Sequence, residues 1–156
     1  MTRNKLIANR LREVFLDGKW IANTSFKELI QDVSWEQATQ KVGELNTIAL
    51  LTFHINYYTS GILTVLNGGD LAIHDKFSFD LPEIKQESDW RILVNEFIHT
   101  AETFIAKVEQ IEESKLDEPF VNEKYGSFLR NLEGVIEHCY YHLGQISLLK
   151  KMIATA

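Results

Sequence analysis

Apolar residues recur every three or four positions along four stretches of the chain, which is the period of an amphipathic helix. The predicted helices cover residues 4–16, 35–67, 89–111 and 127–152. Asp17-Gly18 ends the first, and Asn67-Gly68-Gly69-Asp70 ends the second. Because each helix must bury its apolar stripe, the pattern predicts an all-α fold, a four-helix bundle.

The connections between these helices are longer than tight helical hairpins need. Residues 19–33 form a bridging piece in which Ser25 can cap a short helix, and Ser34-Trp-Glu-Gln37 is a capping box predicted to open the longest helix. Residues 71–87 and 112–124 read as loops, and Ser88 or Asp89 is the predicted cap of the third helix. Long connections permit crossovers, so the pattern leaves the order of the helices in the bundle open.

Composition narrows the class of protein. The chain has 156 residues with 45% hydrophobic and 24% charged, so we expect a single globular domain over residues 1–156. A net charge of −6 without a basic cluster argues against nucleic acid as a partner. The longest mainly apolar run, residues 48–58, is too short to span a membrane. With one cysteine and no apolar leader at the first residues, we expect a cytoplasmic protein.

The strongest chemical signal is the pair His138 and His142, four residues apart on one face of the last helix. Two imidazoles so placed can bind one divalent ion together, although many such pairs are simply solvated. His54 lies in the apolar run of the second helix and must find a partner if buried. It is off the predicted apolar seam through Thr52, so it is either a core histidine or a third ligand.

Other candidates are weaker. His99 groups with polar residues of the third helix, and His74 lies in a loop, so both are predicted to be solvated. Cys139 points about a third of a turn away from His138 and is interpreted as a packed thiol. Gly68-Gly69 is a helix stop rather than a phosphate loop, because no strand precedes it.

The segment His138-Cys-Tyr-Tyr-His142-Leu-Gly-Gln-Ile146 resembles the closing signature of the DinB-like, or YfiT-like, four-helix-bundle metalloproteins. His54 stands where that family has its third metal ligand, and Tyr125-Gly126-Ser127 resembles the family's entry to the last helix. The resemblance implies that His54, His138 and His142 bind one divalent ion. Zinc or nickel is the prediction, and iron is the alternative. It also implies small-molecule substrates and a homodimer.

The resemblance implies either an enzyme that uses a low-molecular-weight thiol, such as mycothiol, bacillithiol or glutathione, or a metal-dependent hydrolase. Our prediction is a thiol-dependent S-transferase. The alternatives are a hydrolase that uses metal-bound hydroxide and a non-catalytic, metal-binding stress-response bundle. Tyr57, Tyr58, Tyr141 and Gln145 are near enough in sequence to support the ligands or line a pocket, and ordinary packing explains them equally well.

Overall fold

The structure is a computed structural model that describes residues 1–154, and its regular elements are helical. Six α-helices form: α1 Arg3–Arg12, α2 Phe26–Ile30, α3 Trp35–Thr39, α4 Ile48–Leu66, α5 Glu87–Gln110 and α6 Phe128–Ala154. Shorter helical turns span Glu13–Asp17, Asp75–Phe77, Glu113–Asp117 and Glu123–Tyr125. Because residues 1–154 contain no β-strand, the all-α fold class is confirmed.

The prediction of one helix over residues 35–67 is wrong. The capping box at Ser34 and Gln37 forms, but α3 ends at Thr39, where Gln40 turns to extended backbone with ψ 125°. Gly43 then adopts φ +54°, a left-handed conformation that favours glycine, and the chain restarts at Ile48. The Thr47 side chain accepts a hydrogen bond from the Leu50 backbone N–H and caps α4.

The ends of the other helices differ from the predictions only in detail. α1 widens into a single π-type turn before Gly18, whose φ of +59° ends it. α5 begins at Glu87, with Gln86 as its N-terminal flank rather than Ser88 or Asp89. The Asp89 carboxylate still serves this end, because it accepts a hydrogen bond of 2.9 Å from the Lys85 backbone N–H.

The four long helices pack in the order α1, α5, α4, α6 around the bundle, which the sequence left open. α5 lies between α1 and α4, and α6 contacts both α4 and α1. α4 and α6 run antiparallel, since Leu51 and Leu149 line one cavity while Ile62 and Asn131 line another. The centre of the bundle is apolar, with Phe15, Phe26 and Phe97 in mutual ring contact.

Two surface features bear on partners. No helix among residues 1–154 is long and apolar enough to cross a membrane. Among the large aromatic side chains, Trp20 is 81% exposed and Phe77 is exposed, whereas Trp35 packs partly against the core. A homodimer stays a prediction.

Candidate metal centre

Three histidines from two helices meet at one point in the groove between α4 and α6. One ring nitrogen of each lies within 4.8 Å of those of the other two. The Nε2 atom of His138 is 3.2 Å from Nε2 of His54 and 2.9 Å from Nε2 of His142. His54 and His142 are each only 6% exposed, and His138 is half-buried.

His54 reaches the site although it is off the predicted seam, because the buried face of α4 is wide enough to include both His54 and the seam. Thr52 on the predicted seam is fully buried, and Ile48, Leu51, Ile55 and Ile62 are buried as well. His54 precedes Ile55 on the edge of this face that turns towards α6.

The outer nitrogens of two imidazoles are fixed by oxygen acceptors. The carbonyl of Ser78, which can only accept, lies 3.2 Å from Nδ1 of His54. The side-chain oxygen of Gln145 lies 2.6 Å from Nδ1 of His142. Each Nδ1 therefore carries the proton, and each Nε2 presents a lone pair to the shared centre.

The connection after α4 shields His54. The Phe79 ring stacks on the His54 ring, with centroids 4.1 Å apart and planes 12° apart. The Tyr58 ring contacts His54 and His138 edge-on, and its hydroxyl donates a hydrogen bond of 2.7 Å to the Asp75 carboxylate. Sequence reasoning missed Asp75, Ser78 and Phe79, because no local pattern in residues 71–87 indicates a contact with α4.

The environment keeps the three imidazoles neutral. Burial, followed by the neighbouring imidazoles of His142 and His54, lowers the pKa of His138 to about 4. Burial is also the first cause of the lowered pKa of His54 and of His142. Neutral imidazole is the form that binds a metal.

The nitrogen positions fit a divalent cation. Bonds of 2.0–2.1 Å place two nitrogens about 3.4 Å apart at a tetrahedral angle and about 2.9 Å apart at a right angle. The observed separations of 3.2 and 2.9 Å lie within this range. Because Nδ1 of His54 and Nδ1 of His142 carry the protons, the Nε2 atoms of both residues are acceptors that face His138. A neutral His138 has one N–H and can donate to only one of them. A cation satisfies all three nitrogens at once.

The other candidate residues lie at different distances from the centre. Gln145 binds His142 and Tyr58 contacts two of the histidines, as described above. Tyr141 is 66% exposed, with its ring centroid 4.9 Å from that of His142. Tyr57 instead exchanges hydrogen bonds of 3.1 and 2.9 Å with the His74 backbone.

The residues predicted to lie outside the site do so. His74 and His99 are exposed and do not join the cluster. Cys139 is buried, and burial raises the pKa of its thiol well above the ordinary value, as expected for a packed thiol.

Chelator-treated protein is expected to lose stability as the pH falls from about 6.5 towards 4. In this window the unfolded chain binds a proton at residue 138 that the folded chain, with its pKa lowered to about 4, does not. The free energy of unfolding therefore rises with pH there and falls on acidification. Between pH 4.5 and 7 the melting temperature of His138→Ala should fall less steeply on acidification than that of the wild type. His99→Ala, at an exposed histidine, is the control, and parallel slopes for all three proteins would contradict the prediction.

A family model described as the DinB superfamily matches residues 22–146, a range that includes all three histidines. No curated protein gives a significant match to the chain. No solved structure gives one either. The family match covers most of the chain and agrees with the helical bundle and with the position of the histidine cluster. The chain belongs to the DinB superfamily.

Proposed function

We propose that this protein is a metal-dependent S-transferase that joins a low-molecular-weight thiol to an electrophilic small molecule. One divalent cation, zinc, nickel or iron, would be held by His54, His138 and His142. The observation that carries the proposal is the convergence of three Nε2 lone pairs, two of them fixed by outward Nδ1 hydrogen bonds. Three protein ligands leave a coordination position free for a substrate, as in catalytic rather than structural sites.

The surroundings of the cluster support a thiol rather than water as the nucleophile. Within the described chain, no carboxylate oxygen joins the imidazole cluster, and the Asp75 carboxylate lies beyond the Tyr58 ring. A divalent cation can also make bound water acidic, but a hydrolase then needs a group that passes a proton to the leaving group. A thiol, with a pKa of about 8.5, needs no such group, because it loses its proton to solvent and the leaving group departs as an anion. A divalent cation at this site would supply the charge that lowers the pKa of a thiol further.

The side chains of the site then have separate tasks. The histidines stay neutral and keep their lone pairs aimed at the centre, because Ser78 and Gln145 hold the opposite nitrogens. The rings of Tyr58 and Phe79 cover His54 and limit the access of water. In the reaction the thiol loses its proton to solvent, a sulfur–carbon bond forms, and the leaving group departs with its bonding electrons.

Turnover is expected to require both a thiol and the histidine cluster. The substrate is 1-chloro-2,4-dinitrobenzene, which releases chloride when sulfur attacks, and the thiols are glutathione, cysteine, bacillithiol and mycothiol. Protein loaded with zinc or nickel should form the thioether with at least one thiol above the uncatalysed rate. His142→Ala should abolish this excess because it removes a proposed ligand, and His99→Ala should retain it.

Two outcomes would reject the S-transferase. Hydrolysis of 4-nitrophenyl acetate without thiol, lost in His142→Ala, would identify a hydrolase. Saturable binding of a thiol with no turnover of any electrophile would leave a metal-binding module without catalysis.

A further inference from the structure

A cavity of about 530 Å³ adjoins the histidine cluster. Its walls come from α4, residues 71–76, residues 120–125 and α6. Its apolar surface is formed by four side chains: Ile62, Leu71, Ile73 and Phe120. A space with one apolar wall and a polar rim suits a small amphipathic molecule.

Tyr58 links this cavity to the imidazoles. His54, Tyr58 and Ile62 are on successive turns of α4, and Tyr58 both lines the cavity and contacts His54 and His138. On α6, Asn131 lines the cavity seven residues before His138. This spacing is about 10 Å along the helix axis.

Gly134 lies on α6 between Asn131 and His138, on the same side of the helix. A glycine inside a helix lowers its stability relative to alanine, so its presence needs a reason. Packing gives none, because a Cβ atom at Gly134 would have nothing within 4 Å. The space beside Gly134 is therefore open, on the side of α6 that also carries Asn131 and His138.

One ammonium group lies in the cavity lining, and a second contacts a ring of that lining. Lys76 lines the cavity and lies over the Phe77 ring, 4.6 Å from its centroid. Lys124 lies at the same distance over the Tyr125 ring, which also lines the cavity. Neither lysine forms an ion pair with a carboxylate within residues 1–154, although the whole chain carries a net charge of −6. The Asp75 carboxylate also lines the cavity, where it accepts a hydrogen bond from the Tyr58 hydroxyl.

We propose that this cavity binds an elongated amphipathic carboxylate. Its anionic end would lie between Lys76 and Lys124, and its apolar part would run past Gly134 towards the histidines. The inference rests on the proposed function in one respect, since it assigns the substrate class to that same site. It is tested by binding to chelator-treated protein, so it can fail or succeed separately from metal binding and turnover.

The probes are 5-phenylpentanoate, 5-phenylpentylamine and 5-phenylpentan-1-ol, which share one apolar body and differ in charge. Isothermal titration should give the tightest binding for the carboxylate. Lys76→Gln combined with Lys124→Gln should weaken it about tenfold, because each exposed ion pair contributes about two- to fivefold. Lys115→Gln is the matched control, because Lys115 makes the same kind of contact with Phe128, a ring outside the cavity lining.

Gly134→Ala should raise the melting temperature by about 2–4 °C, since alanine favours the helix. It should also weaken carboxylate binding about tenfold, the effect of one misplaced methyl group in a binding pocket. Gly144→Ala is the matched control on the same helix. A Cβ atom at Gly144 also meets nothing within 4 Å, but Gly144 lines a different cavity, beside Tyr140 and Leu148. It should stabilise the protein and leave binding unchanged.

Three results would overturn the inference: no binding of any probe, tighter binding of the amine, or equal carboxylate binding by Gly134→Ala and Gly144→Ala. Metal content measured on the same preparation before chelation separates these failures from a failure of the metal site. If the protein carries the ion but binds none of the probes, only the proposed ligand of the cavity is wrong. Protein that binds the carboxylate but never carries an ion refutes the proposed function alone.

Discussion

Replacing His138 with alanine is expected to weaken divalent-cation binding by at least about a hundredfold, because loss of a partner behind a ligand already costs 10- to 100-fold. His138 is the central imidazole, with its Nε2 atom 3.2 and 2.9 Å from those of the other two. The variant leaves two nitrogens on different helices and no shared third donor. Wild-type protein should retain close to one ion per chain after dialysis, measured by elemental analysis, and His138→Ala should retain almost none.

The expected loss of cation affinity depends on how directly the replaced residue would contact the ion. Gln145→Ala removes only the acceptor that holds Nδ1 of His142, so the affinity should fall by about 10- to 100-fold. His99→Ala removes an exposed imidazole from α5 and should leave the affinity unchanged. Competition with a chromophoric chelator measures all three variants on one scale. Equal affinity for His138→Ala and His99→Ala would show that the cluster does not bind the ion.

The pair on α6 could be predicted from sequence because helical spacing alone puts His138 and His142 on one face. His54 could be predicted only as a candidate, since burial and partner depend on how α4 is rotated. The continuous apolar periodicity also concealed the break at residues 40–47. Gly43 and the cap at Thr47 were the available signals, and both are short-range features that the heptad-like seam outweighed.

The rest of the site depends on contacts between residues far apart in the chain. Ser78 accepts from His54 across 24 positions, through a backbone carbonyl that any residue type could supply. Phe79 and Asp75 belong to a connection whose composition indicates only a loop. The order of the helices likewise follows from packing, because amphipathic faces specify burial but not which neighbour covers them. Sequence therefore predicted ligand candidates, whereas the fold was needed for their orientation and tautomers.

Trp90→Ala should have the largest effect on stability among substitutions away from the site, lowering the free energy of unfolding by about 3–5 kcal/mol. Trp90 is fully buried on α5, and its indole N–H donates a hydrogen bond of 2.7 Å to the Val33 carbonyl. This contact fastens the segment before α3 to the bundle. Because whole domains are stable by only about 5–15 kcal/mol, the loss would be a large part of the total.

Two further tryptophan variants isolate the cause. Trp90→Phe keeps most of the buried apolar surface, and the Val33 carbonyl still accepts from Arg91 at 2.7 Å, so the cost should be about 1–2 kcal/mol. Trp20→Ala, at a side chain that is 81% exposed, should change stability by at most about 0.5 kcal/mol. Urea unfolding of chelator-treated proteins measures all three without a contribution from bound metal. If Trp90→Ala and Trp20→Ala unfold at the same urea concentration, the packing of α5 against the Val33 segment does not contribute to stability as its burial implies.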